Sequence, residues 1–341
     1  MASMSVSDGP HTIGLWPVAA ALMGNVVVTM FKFVAAFASG SSAMFNEAIH
    51  SVADTSNQLL LLIGLRRSRK KADEDFEYGY GLERFFWALL SACGVFFVGA
   101  GVTISHSIES LLKPHPIEIQ SVVFVVLFIS LVIESWTLFI ALQSIQKRYP
   151  DVSWRERFAL CDPSTLAVCL EDSVALIGVL IAAASIGLAY MTGNVLWDAL
   201  GSLIIGLMLA GVATTLIIRN RSYLVGHSIP EDLKTEIIDF LESDPAIEKV
   251  IDFKSSILDI DVYRIKCEVE MTGSALLKAL YKHNSLKNEY EEVHDDFEEF
   301  KKFCVAYSNR IPRLIGKHID DLESRLMKEF PAVRHIDIEI N

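Results

Sequence analysis

Long apolar stretches alternate with short polar segments through the first part of the chain. A stretch of about 20 apolar residues is long enough to cross a bilayer as a helix. The pattern predicts six such spans, at residues 14–38, 43–65, 85–108, 117–142, 163–190 and 195–218. The loops on one side are short, so we expect consecutive helices to be antiparallel neighbours.

From Ser222 onward the composition becomes that of a soluble domain. Its periodicity predicts helices at 231–242 and 314–330 and strands at 250–257, 261–271 and 333–340. This order predicts an α+β fold with the helices on one face of the sheet. We therefore expect a six-helix transmembrane domain over 1–221 and a cytoplasmic α+β domain over 222–341, with a helical insertion at about 274–311.

Charge placement gives the orientation. Lysines and arginines cluster in the loops after the second, fourth and sixth spans, whereas the opposite loops carry only Lys113. By the positive-inside rule, both termini should be cytoplasmic, and we expect the membrane to be a bacterial inner membrane. The net charge of −12 offers no basic stripe for nucleic acid. The five cysteines form no CxxC pair, which predicts reduced thiols.

Polar side chains interrupt two of the apolar spans. They are Asn46, Glu47, His50 and Asp54 on the second span and Glu171 and Asp172 on the fifth. An ionisable group at bilayer depth costs several kcal/mol, so it persists where it is paired, hydrated or functional. Lys32, in the first span, is expected to neutralise a nearby acid such as Asp198.

Helix geometry brings part of this set to one depth. With a rise of about 1.5 Å per residue, Asp54 lies about 16 Å below the start of its span at Ala43, and Glu171 lies about 12 Å above Pro163. The two spans run in opposite directions, so these depths nearly coincide within a hydrocarbon core of about 30 Å. We therefore expect His50, Asp54 and Glu171 to meet as one site.

An imidazole and two carboxylates are ligands for a borderline divalent cation such as Zn²⁺, Mn²⁺, Fe²⁺ or Co²⁺. The fourth ligand is open, and water, Asn46 and Asp172 are its candidates, while Glu47 can flank the site. These ligands lose protons when they bind metal, which predicts exchange of metal for protons. Glu134, inside the fourth span, is a further candidate for proton coupling.

Several motifs resemble signatures of the cation diffusion facilitators. They lie at residues 40–54, 78–84, 162–178 and 198–206. The resemblance covers nearly the whole chain and implies a homodimeric exporter that exchanges Zn²⁺ or a similar ion for protons. It implies His50 and Asp54 as the ligand pair of the second helix. In the fifth helix Glu171 takes the first ligand position, but Ala175 takes the second, which opens the site to Mn²⁺ or Fe²⁺.

The resemblance also implies a ferredoxin-like, metallochaperone-like tail whose dimer can bind regulatory metal. His335 and Asp337 match ligands of the last strand, and Cys267 falls near another.

The function expected from the sequence is secondary-active export of a divalent metal, with zinc as the expected ion. The chain should not be an enzyme, and its partners should be membrane lipid and a second copy of itself. We expect no cofactor beyond the transported ion and the regulatory Zn²⁺. Two alternatives stay open: a metal-binding sensor or scaffold with little transport, and an intramembrane zinc hydrolase, which the absence of an HExxH motif disfavours.

Overall fold

Six long helices follow one another in the first part of the chain. The structure is a computed structural model that describes residues 15–113, 121–148, 150, 152–160, 163–275 and 286–341. Within these residues the long helices are α1 (Leu15–Ser39), α2 (Ser42–Ser68), α3 (Glu83–Leu112), α4 (Ser121–Arg148), α5 (Pro163–Thr192) and α6 (Leu196–Val225). A short helix, Trp154–Leu160, lies between α4 and α5.

The helices differ in how clearly their composition marks them as membrane spans. Four of them, α3 to α6, contain stretches long and apolar enough to cross a membrane, and α1 contributes the shorter apolar stretch Asn25–Ser39. At 27 residues α2 is long enough, but Glu47, His50 and Asp54 make it more polar than its neighbours. The composition therefore marks four candidate spans in the described residues, where the sequence pattern predicts six. Helices of this length and composition are those of an integral membrane protein.

A carboxylate from another helix supports the start of α2, where Ser41 is the N-cap. Gly40 has a φ of 68°, which permits the sharp turn after α1. The carboxylate of Asp198, on α6, accepts hydrogen bonds from the hydroxyl of Ser41 and the backbone N–H of Ser42, both at 2.7 Å. A negative charge at this position is favourable, because the first N–H groups of a helix have no partners within it.

Small side chains let the helices approach closely. An ideal Cβ built on Gly201 of α6 would lie 2.4 Å from the Cβ of Ser185 on α5. Within α3, residues Val95–Ala100 form a π-helical segment, and Gly99 in that segment lies against Ala53 of α2. The outward faces carry exposed aromatic side chains such as Phe97 and Trp136, as expected where lipid is the solvent.

The chain from Val225 to Asn341 forms a separate α+β unit. Its described elements are α7 (Glu231–Glu242), β1 (Ile247–Asp259), β2 (Val262–Met271), α8 (Leu286–Val293), α9 (Phe297–Glu329) and β3 (Val333–Ile340). The sheet has the order β1-β2-β3, with β2 antiparallel to β1 and parallel to β3. The predicted fold class, a membrane helical domain followed by a small α+β domain, is confirmed.

One sheet face and two helices form the core of the tail unit. The buried residues Ile265, Cys267 and Val269 alternate along β2, and Leu322 and Leu326 lie on the buried stripe of α9. The predicted bounds of α7 and β3 are confirmed. The predicted insertion falls partly on residues 276–285, which lie outside the described ranges. From Phe297 onward the insertion is part of the long helix α9, which contains Pro312.

Candidate metal site

On one face of α2, a buried histidine lies close to a carboxylate. His50 is 1% exposed, and its Nε2 lies 3.4 Å from Oδ2 of Asp54, one turn further along the helix. Neither ring nitrogen of His50 has a hydrogen-bond partner among the described residues. An imidazole without a partner in a buried position calls for an explanation, and coordination of a metal ion is one.

Glu171 is oriented by a short chain of hydrogen bonds. Asn57 of α2 donates from Nδ2 to Oε2 of Glu171, and the Oδ1 atom of Asn57 accepts a hydrogen bond of 2.5 Å from Ser91 of α3. Oε1 of Glu171 has no hydrogen-bond partner in the described part of the chain. Asn57 follows His50 by two helical turns, so the sequence places it on the same face of α2. Ser91 gives no such signal, because it is a single serine in an apolar helix.

Three carboxylates from three helices line one small cavity. Asp54 of α2, Glu134 of α4 and Asp172 of α5 share a volume of about 40 Å³ with polar neighbours that include Asn25 and Gln58. Such a volume is enough for a single water or ion. Asp54 is also close enough to Glu171 and Asp172 for their carboxyl groups to interact electrostatically. Asp54 therefore belongs both to the pair with His50 and to the acidic cavity.

Lys32 joins this polar layer from α1. Its Nζ lies 3.3 Å from Oε2 of Glu47 and 3.8 Å from Oε1 of Glu134. Lys32 and Glu47 are fully buried. The prediction that Lys32 neutralises Asp198 is wrong, because Asp198 caps α2 while Lys32 faces acids of α2 and α4.

Asn46 is held by serines from two other helices. Its Nδ2 donates to Oγ of Ser107 on α3 at 3.1 Å and to Oγ of Ser202 on α6. No hydrogen bond joins it to His50 or Asp54 in the described residues. Asn46 thus connects three helices, while its Oδ1 has no hydrogen-bond partner within the same ranges.

The candidate ligands are close but do not form a closed coordination shell. Within the described ranges, no three His, Cys, Asp or Glu side chains stand near enough together to hold a metal ion. The arrangement provides one close pair, His50 and Asp54, with Glu171 and Asp172 nearby.

The predicted regulatory set of the tail lies on two faces of the sheet. In the parallel register of β2 and β3, Cys267 is opposite Ile338, whereas Lys266 is opposite Asp337. Cys267 is buried beneath the helices, and burial raises its pKa to about 12. Cys267 therefore does not join His335 and Asp337 on the other face, as was expected, because side chains alternate along a strand.

Asp337 already has a cationic neighbour, since its carboxylate lies 4.0 Å from Nζ of Lys266. Partial burial and the charge of Arg264 lower the pKa of His335. A lower pKa keeps the imidazole neutral, which is the form that binds metal.

Residues 18–225 match the cation efflux transmembrane domain. This range covers more than half of the chain and contains every candidate ligand described for α2, α4 and α5. The chain belongs to the cation efflux family. The expected relationship to the cation diffusion facilitators is thereby confirmed, and family membership places the chain among transport proteins rather than enzymes.

Two relatives in the cation efflux family are similar over most of this chain. The mitochondrial proton-coupled zinc antiporter SLC30A9 of Homo sapiens is 36% identical over 321 residues, which are 93% of this chain and 56% of the relative. Metal tolerance protein C4 of Arabidopsis thaliana is 32% identical over 335 residues, 94% of this chain and 72% of the relative. The chain thus spans little more than half the length of the human protein.

Proposed function

We propose that the chain is a secondary-active exporter of divalent metal ions that exchanges Zn²⁺ for protons. The observation that carries the proposal is the buried His50–Asp54 pair beside a cavity lined by three carboxylates. Such a concentration of ionisable groups inside membrane helices is costly and typical of an ion pathway. The names of the human and Arabidopsis relatives, a zinc antiporter and a metal tolerance protein, support the same function.

The ligand types suit a borderline ion. We assign His50, Asp54 and Glu171 as the principal ligands of the transported metal, and Mn²⁺, Fe²⁺ and Co²⁺ as alternative substrates. Ala175 is buried one turn after Glu171 and provides only a methyl group. Asp172 shares the cavity with Asp54 and is the candidate for the fourth position.

Proton exchange follows from the same ligands. A neutral imidazole and ionised carboxylates bind the metal, and protons take its place when it leaves. Glu134 borders the same cavity from α4, so it is suited to pass protons to or from Asp54 and Asp172. Access that alternates between the two sides of the membrane would then couple the two fluxes.

We further propose that the membrane domain covers residues 1–221, that the domain from 222 to 341 and both termini lie in the cytoplasm, and that the host membrane is a bacterial inner membrane. The clusters of Lys and Arg in three loops support the orientation. A homodimer, and regulatory Zn²⁺ held by His335 and Asp337, are part of the same proposal.

A transport assay with a panel of metals tests the proposal. Proteoliposomes containing the full chain are given Zn²⁺, Mn²⁺, Fe²⁺ or Co²⁺ under a pH gradient, and metal entry is followed with an enclosed dye. We expect Zn²⁺ flux that Asp54→Asn and Glu171→Gln each reduce strongly. The matched control is Asp73→Asn, which removes a carboxylate from the loop between α2 and α3 and should transport normally.

The absence of flux with all four metals would overturn the proposal. Binding of metal without flux would favour the alternative, a sensor or scaffold.

A further inference from the structure

Lys32 is a fully buried cation in the layer where the transported cation would bind. It is among the largest of the fully buried side chains described for this protein, with no exposed surface. Its ammonium group has two acidic neighbours from different helices, Glu47 of α2 at 3.3 Å and Glu134 of α4 at 3.8 Å. A lysine on a lipid-facing surface could reach the interface, whereas this one is enclosed by protein.

The two acids differ in what else they face. Glu47 accepts a hydrogen bond from Lys32 through Oε2, while its Oε1 lies 2.8 Å from the position that a Cβ on Gly178 of α5 would take. Glu134 is partly exposed and lines the cavity together with Asp54 and Asp172. One partner of Lys32 is therefore enclosed, and the other is shared with the cavity.

The charge of Lys32 reaches the candidate ligands. It acts electrostatically on His50 and on Asp54, although neither is its ion-pair partner. A divalent ion bound at Asp54 would be repelled by this ammonium group, because charge interactions are weakly screened inside a protein. At the same time, the ammonium group balances the negative charges of Glu47 and Glu134 when no metal is bound.

We propose that Lys32 is a tethered counter-cation: it pairs with Glu47 and Glu134 in the metal-free transporter and weakens metal binding at Asp54 enough for release. This inference rests on the proposed transport of metal. Glu47 holds the ammonium group in place, and the carboxylate of Glu134 interacts both with Lys32 and with the cavity. Lys32 is thus a positioning residue whose charge sets the affinity for metal without touching the ion.

The role proposed for Lys32 predicts a specific change in zinc affinity and in turnover. Loss of the positive charge should tighten the binding of Zn²⁺ and slow its release, so that KM and kcat both fall. A lysine that only holds α1 to α2 would affect the amount of folded protein, but it would leave the affinity of the folded fraction unchanged.

The test is a double-mutant cycle on the full chain in detergent, read by titration with Zn²⁺ against a competing fluorescent chelator. The four proteins are the wild type, Lys32→Met, Glu47→Gln and the double variant. Lys32→Met should bind Zn²⁺ about tenfold more tightly or better than the wild type. Lys32→Arg, which retains the charge, should bind like the wild type.

The double variant protects the test against misfolding. Removing one member of a buried pair leaves an uncompensated charge, while removing both is often tolerated. The double variant should bind Zn²⁺ at least about tenfold more tightly than Glu47→Gln. Equal affinities in this comparison would overturn the role of Lys32, whereas no Zn²⁺ binding by the wild type would instead overturn the proposed function.

Discussion

His50 and Asp54 stand one helical turn apart on α2, with 3.4 Å between Nε2 and Oδ2, and the imidazole makes no hydrogen bond within the described residues. The helix thus holds two potential ligands close together and leaves their coordinating atoms available. Glu171 approaches from α5 in an orientation set by Asn57. In the proposed site, this pair would supply the ligands of α2, and Glu171 and Asp172 would supply those of α5.

Asp54→Asn tests this pair. The amide keeps the size of the side chain but removes the negative charge that would bind the cation. We expect the affinity for Zn²⁺ to fall about 100-fold, as measured by titration of the purified full chain. A folded variant that bound Zn²⁺ as tightly as the wild type would exclude Asp54 as a ligand.

Asp198→Ala tests whether the carboxylate of Asp198 supports the fold rather than binding metal. Asp198 accepts hydrogen bonds from Ser41, Ser42 and Ala43 at the start of α2. Its loss should destabilise the fold by about 2 kcal/mol, measured by thermal unfolding in detergent. The affinity of the folded fraction for Zn²⁺ should change little, and a large drop in that affinity would instead place Asp198 in the metal site.

Gly201→Ala tests the contact between α5 and α6. The added methyl group would overlap the side chain of Ser185, so we expect a loss of about 1–3 kcal/mol. Gly187→Ala is the matched control on α5, because a Cβ at Gly187 meets nothing within 4 Å among the described residues. A tolerated Gly201→Ala would mean that the two helices lie further apart.

Asp244→Asn tests a network in the tail unit. Burial favours the protonated form of Asp244, but hydrogen bonds from the Ala246 N–H, Arg325 and His318 outweigh it and lower its pKa. The ion pairs therefore stabilise the fold above the ordinary pKa of an aspartate, and the gain disappears as the pH falls through the lowered value.

The variant should lose about 2 kcal/mol near neutral pH, read as faster hydrogen exchange of α9 in the full chain. This difference from the wild type should shrink in acid. A pH-independent difference would show that the carboxylate charge is not responsible.

The sequence predicts the depth of the polar residues in the membrane better than it predicts their partners. The depth of a residue follows from a fixed rise per residue, so the sequence alone places Asp54 and Glu171 near one level. The partner of Lys32 depends on the rotation of α1 against α2 and α4, which hydropathy does not encode. The assignment of Lys32 to Asp198 failed for this reason.

In the tail unit, too, the sequence predicts an element better than it predicts the contacts of that element. The alternation of apolar and polar residues fixes β3 to the residue, because one of its faces is buried. Grouping Cys267 with His335 and Asp337 required the register between β2 and β3, and the observed register puts Cys267 on the buried face. Pairing between distant strands is a property of the whole fold, so the spacing of ligands along the chain could not reveal it.

Simultaneous recording of zinc and proton movement tests the central claim most directly. Proteoliposomes with the full chain carry a zinc dye and a pH dye inside, and Zn²⁺ is added outside with no imposed gradient. We predict that Zn²⁺ entry drives protons outward and raises the internal pH, and that Asp54→Asn abolishes both signals. Zinc entry without proton movement, or proton movement that ignores zinc, would contradict metal–proton exchange.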